Sequence, residues 1–127
     1  MKTKKKDGFT LVELVIVISI IMILISIALP RYNKTNMSAQ VAAHNSNVKM
    51  IKNAAILYLS DNNDDTNIDQ SKIGEYIGEY IDGKMPKPIK NIQGANQGSF
   101  TITITNGEII ISPGLVKVEG KNIVLVE

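Results

Sequence analysis

A chain of 127 residues and 13.9 kDa has room for one domain, or one domain with an appendage. It has no Cys and a single His, His44, which excludes a disulfide scaffold, a Cys-based zinc site, a thiol nucleophile and a two-histidine relay. The net charge of +2 is unevenly placed: Lys2, Lys4, Lys5 and Lys6 crowd the start, and without residues 1–8 the balance becomes 10 basic against 11 acidic, so little favours nucleic-acid binding.

After Asp7 and Gly8 comes an apolar run from Phe9 to Leu29, interrupted by Thr10, Glu13, Ser19 and Ser26 and followed by Pro30 and Arg31. As a helix rising ~1.5 Å per residue it is about 31 Å long, the depth of one hydrocarbon core. Ten of its 21 residues are Ile or Val, poor helix formers in water, but in lipid the backbone must satisfy itself and helix is the expected state. It has no polar stripe, so it reads as a membrane span rather than a buried core helix. The lysines before it place the N-terminus in the cytoplasm. The rival reading is a secretory signal peptide cut after Ser26-Ile27-Ala28; Leu29 and Pro30 continue such a cut poorly.

Glu13 is the informative residue of the run. A carboxylate at the centre of a bilayer costs about 2.5–3.5 kcal/mol, less near an interface, and such a residue usually marks function. No basic residue lies within a helical turn after it, so its nearest candidate partner is an α-amine released by a cut before Phe9. The competing reading is a Glu snorkelling to the cytoplasmic headgroups.

Lys4-Lys5-Lys6-Asp7-Gly8-Phe9-Thr10-Leu11-Val12-Glu13, followed by the apolar run and Pro30, resembles the N-terminus of type IV pilins and pseudopilins. The likeness is strong over residues 4–32. It implies that Gly8 precedes the prepilin-peptidase cut, that Phe9 becomes the N-methylated first residue, and that Glu13 pairs with the α-amine of Phe9 of a neighbouring subunit. Pro30 falls on the helix-kinking proline of the family. Asp7 departs from the pattern, since many family leaders carry Lys or Arg there. The resemblance also implies the partners: other copies of this chain and other pilins, the peptidase and methyltransferase, and the assembly platform with its ATPase. It places the precursor in the cell membrane and the assembled chain at the surface. No cofactor or metal is implied, and nucleic acid is not expected.

Residues 31–60 continue as a helix, with Pro30 expected to end or kink it. Met37, Val41, His44, Val48, Ile51, Ala55 and Tyr58 form a heptad seam, widened by Ala39, Ala42, Ala43, Ala54 and Leu57. Asn45, Asn47, Lys49, Lys52 and Asn53 are assigned positions away from it. His44 reads as a packed residue with one hydrogen bond. Asp61, Asn63, Asp65, Asn67 and Asp69 alternate like a calcium loop, but Thr66 and Lys72 stand where that motif needs Gly and Glu, so a solvated loop is favoured.

Asp69 is the candidate cap of the next helix. Ile73-Gly-Glu-Tyr76, Ile77-Gly-Glu-Tyr80 and Ile81-Asp-Gly-Lys84 repeat a tetrapeptide, read as one short helix ended by Gly83 and packed on the sheet, despite Gly74 and Gly78. Met85-Pro-Lys-Pro88 is an extended connector. Residues 99–105 alternate strictly, Asn106-Gly107 is a hairpin turn, and residues 108–112, 115–119 and 123–127 follow as strands. The expected fold is α+β: a long N-terminal helix, membrane-spanning in its first half, packed on a four-strand antiparallel meander with residues 89–92 as a candidate fifth strand. The expected segments are a leader (1–8), the span (9–29) and an extracytoplasmic domain (30–127), made of a helix (31–60), a loop with a short helix (61–84) and a sheet (89–127).

Two functions of different class fit. One is a filament subunit on which other enzymes act. The other is a membrane-anchored or secreted small binding or enzymatic domain. No nucleophile–base set, carboxylate motif or phosphate loop supports an enzyme.

Overall fold

The computed structural model describes residues 8–62, 68–95 and 98–126; the leader lysines, Asp7 and most of the calcium-loop-like stretch lie outside them. One long helix, α1 (Leu11–Asp61), is followed by α2 (Ile73–Gly78) and strands β1 (Ile92–Gln93), β2 (Thr101–Thr105), β3 (Glu108–Ser112), β4 (Val116–Glu119) and β5 (Asn122–Leu125). This is the expected α+β layout, a long apolar N-terminal helix with a C-terminal, antiparallel-rich β region. The chain forms two compact units, one up to Thr35 and one from Asn36.

In the first unit α1 is exposed at every position, so the Leu11–Leu29 run has no core of its own. It is long and apolar enough to cross a membrane. Its hydroxyls turn back onto the helix, Ser19 to the Val15 carbonyl at 2.6 Å and Ser26 to that of Ile23 at 2.7 Å, so both are satisfied without water. Pro30 lies inside α1, so the helix does not end there. Its missing N–H leaves the Ser26 carbonyl without its usual intrahelical donor.

In the second unit α1 presents the expected seam: His44, Val48, Ile51 and Ala55 are buried, and Met37, Val41 and Tyr58 half-buried. Ala54 joins it, but Ala39, Ala42 and Ala43 are exposed and Leu57 is 54% exposed, while Leu59 is buried. Leu57, two residues past Ala55, lies about 200° around the helix, whereas Leu59, four past it, returns to the same face. Ile51, Ala54, Ala55 and Leu59 pack with Ile73, Ile77 and Ile81 and with Ile102 and Ile104 of β2. Met37 and Val41 pack on a second cluster of Ile92, Val116 and Ile123.

The short helix is shorter than its repeat suggests. It ends at Gly78, not Gly83, and the Tyr80 and Ile81 N–H groups bond three residues back to the Ile77 and Gly78 carbonyls. Gly78 carries the backbone-entropy penalty that favours a stop there. Asp69 does not cap α2: the N-cap is Lys72, without a side-chain bond. Asp69 instead accepts the Ser71 N–H at 3.0 Å and its hydroxyl at 2.7 Å, an Asx turn, and these bonds hold its carboxyl below the usual carboxylate range.

The continuous meander is also corrected. β2 and β3 form a two-stranded antiparallel hairpin, closed by Asn106 (φ 51°) and Gly107 (φ 79°) in a turn that needs positive φ at both positions. β4 pairs antiparallel with β5, and β1 joins β5 in parallel, giving a separate sheet of order β1-β5-β4. β3 and β4 are not paired. Pro113 between them has no N–H to give a ladder, and Val116 at the start of β4 finds its partner on α1. The fifth strand is Ile92–Gln93 rather than 89–92.

Candidate functional site

The head of α1 gathers the residues singled out from the sequence. Thr10 is its N-terminal cap. The Thr10 carbonyl accepts the Leu14 N–H at 3.1 Å, and the Thr10 hydroxyl oxygen accepts the Glu13 N–H at 3.2 Å. Glu13 Oε2 accepts the Thr10 N–H at 3.0 Å in return. This is a capping box, two otherwise orphaned donors satisfied reciprocally. The carboxylate also sits at the positive end of the helix dipole. Thr10-x-x-Glu13 ahead of an apolar run is a readable sequence signature of this box, and it was not among the readings made of Glu13 above.

Glu13 has no ion-pair partner among the described residues, and Oε1 accepts no hydrogen bond there. Phe9 is 92% exposed. Beyond its chain neighbours, a Cβ built on Gly8 would meet no atom of the described residues within 4 Å, and Gly8 is not among the glycines at positive φ. The fold of the chain therefore makes no demand for glycine at that position.

His44 is 0% exposed and belongs to the core. Its Nε2 donates to the Gly114 carbonyl at 2.8 Å and its Nδ1 accepts the Ile89 N–H at 3.4 Å, two backbone bonds rather than the one expected. The Phe100 ring lies 5.3 Å away, tilted. Both nitrogens are engaged with backbone, so the ring ties α1 to two connecting segments and has no free nitrogen for chemistry.

Around the C-terminal end of α1, Tyr58 stacks parallel to Tyr76 at 5.6 Å and meets Tyr80 edge-on at 6.1 Å. The Tyr80 hydroxyl donates to Asp61 Oδ2 at 2.9 Å. Of the calcium-loop-like residues, Asn63, Asp65, Thr66 and Asn67 lie outside the described residues, while Asp61 and Asp69 are engaged with Tyr80 and Ser71. Among the described residues no group of three His, Asp or Glu could hold a metal ion.

The profile of the prokaryotic N-terminal methylation motif matches residues 3–29. Two curated relatives, both named fimbrial protein and both from Pseudomonas aeruginosa, are 46% identical to this chain over 52 residues. That match takes in 41% of this chain and 34% of each relative, so the chain spans about a third of their length. No solved structure gives a significant match.

Proposed function

We propose that this chain, which the methylation motif and the fimbrial relatives support as a type IV pilin-family protein, is a structural subunit of a type IV pilus or related filament. It enters the membrane through Phe9–Leu29 with its N-terminus in the cytoplasm, is cut after Gly8, is N-methylated at Phe9, and polymerises through α1. Pro30 is the site of a helix kink. The partners are further copies of the chain and other pilins, the peptidase and methyltransferase, and the assembly platform with its ATPase.

The observation that carries the reading is the head of α1. An exposed Phe9 and a glycine that the fold does not require stand directly before the capped head of α1, whose apolar Leu11–Leu29 stretch is exposed throughout. Gly8 is then explained by an enzyme that must accept the chain there. The glutamate in the run becomes half of a charge pair whose other half, the amine of Phe9, exists only after the cut. The chemistry is done to this chain and not by it.

Mass spectrometry of the chain recovered from cells tests the reading. A chain starting at methylated Phe9, found in sheared surface filaments, is the expected result. A chain starting at Met1 or Leu29 would instead select an anchored or secreted small domain.

A further inference from the structure

Charge is segregated along this chain. α1 carries Arg31, Lys34, Lys49 and Lys52 and has no acidic residue between Glu13 and Asp61, whereas residues 61–82 hold seven acids and a single cation, Lys72. Among the described residues the sole ion pair is Lys117–Glu119, at 3.9 Å, so neither block is neutralised by the other. The reason is placement. α2 packs Ile73 and Ile77 into the core with the seam of α1 and leaves Glu75 and Glu79 exposed. Lys49 and Lys52 lie on the exposed arc of α1, outside that seam, and Ile56 (48% exposed) falls between them around the helix. Among the described residues no ion pair links the two sets within the unit.

We propose that Lys49 and Lys52 of one copy dock on Glu75 and Glu79 of a second copy, a contact that rests on the filament reading above. The spacings match. Lys49 and Lys52 are three residues apart on a helix, about 4.5 Å along its axis, and Glu75 and Glu79 are four apart, about 6 Å. Glu79 keeps helical φ and ψ (−66°, −25°) as the C-cap of α2, so the helical spacing holds to that residue. Two pairs form at once, and Ile56 loses water beside them. Because the two charged sets are different, the contact can repeat head to tail, and a repeat whose rotation does not close builds an open filament. Opposite charge blocks also penalise misregistered docking, which brings like charges together.

The test uses the full chain as the only subunit present. Lys49→Glu with Lys52→Glu, and separately Glu75→Lys with Glu79→Lys, are expected to leave the chain inserted and cut but to lower filament yield about tenfold or more. All four reversals in one chain should restore it. The chain has no Cys, so Lys52→Cys with Glu79→Cys gives a clean background: a Lys–Glu pair sets its Cα atoms beyond disulfide reach, so a bis-thiol cross-linker about 10 Å long should yield covalent multimers. Wild-type yield from either double reversal, or filaments of the cysteine variant that form no cross-links, would overturn the contact while leaving the filament reading intact. A wild-type chain that makes no filaments would overturn the reading itself.

Discussion

Asn45 and Val116 are bonded as two strand residues would be, although one is on a helix. The Asn45 carboxamide donates to the Val116 carbonyl at 2.9 Å, and its Oδ1 accepts the Val116 N–H at 2.8 Å. Gln70 does the same for Ile104, donating to its carbonyl at 2.6 Å and accepting its N–H at 3.3 Å. In the β2–β3 ladder Ile104 and Ile109 are opposite each other, next to the tightly bonded pair at the turn, so both backbone groups of Ile104 point out of the sheet. A side-chain amide completes the edge there, and another completes the start of β4. Each blunts an edge that would otherwise invite another strand.

Asn45→Ala should therefore lower stability by about 2–6 kcal/mol, because it leaves two part-buried backbone groups without partners at ~1–3 kcal/mol each. Asn45→Asp should be at least as damaging at neutral pH, since it keeps an acceptor for the Val116 N–H but sets a second acceptor against the Val116 carbonyl. Denaturant unfolding of the full chain in mild detergent, followed by circular dichroism, measures both. A loss below about 0.5 kcal/mol for Asn45→Ala would show the pairing to be incidental.

These amide bonds mark the limit of what the sequence makes legible. The apolar run and the seam are local periodic signals, and Leu11–Leu29 and Met37–Tyr58 appear in the structure on the expected helix. The hairpin turn at Asn106-Gly107 is equally local. Asn45 and Val116, by contrast, are separated by 71 residues, and nothing near either predicts the bond. β1 has two residues and lies parallel to β5, too short to leave a period of its own. The stop of α2 at Gly78 was visible as a helix-breaking residue, but the tetrapeptide echo pointed past it. At the candidate site, Gly8, Phe9 and Glu13 were legible as a motif, and the capping role of Glu13 was legible in the spacing to Thr10.

Tyr80 gives a pH test. Its hydroxyl donates to Asp61, and that bond, with smaller contributions from burial and nearby negative charge, holds the phenol above its usual value of 10.0. A folded value above the unfolded one means that the bond stabilises the fold fully below pH ~10 and is lost as pH rises through the folded value. In a spectrophotometric titration, one of the four tyrosines should ionise later than in the unfolded chain. Asp61→Ala should remove that late ionisation. An unchanged titration in Asp61→Ala would mean that the bond is absent in solution.

Gly8→Val should leave an uncut precursor in the membrane with its leader attached. Beyond its chain neighbours, no described residue comes within 4 Å of a Cβ at that position, so the substitution leaves the described fold undisturbed and its effect falls on the processing enzyme. The readout is the mass of the chain in membrane fractions. Removal of residues 1–8 at the wild-type rate would contradict the assigned cut.

Glu13 has a structural role in the chain as it stands and a proposed one after the cut, and the two separate experimentally. Oε2 is held by the Thr10 N–H, which orients the carboxylate, while Oε1 accepts no bond among the described residues. Cleavage before Phe9 leaves Thr10 and the box in place and creates an ammonium one residue away. In the proposed filament that ammonium and the carboxylate would both be buried, and removing one member of such a pair costs ~3–5 kcal/mol. A subunit slipped by one turn, about 5.4 Å, leaves both unmatched, so the pair selects one axial stagger. Glu13→Ala loses the cap and the charge; Glu13→Gln keeps the cap, since Gln serves in the same box, and loses only the charge. Both should still be inserted and cut, and both should assemble poorly or not at all when they are the only subunit. Thr10→Val, which removes the hydroxyl half of the cap and weakens the helix end by about 0.5–2 kcal/mol, should still give filaments. Filaments at the wild-type level from Glu13→Gln, with none from Glu13→Ala, would transfer the role of Glu13 from charge pairing to capping. Wild-type filaments from both would reduce it to a carboxylate at the membrane edge.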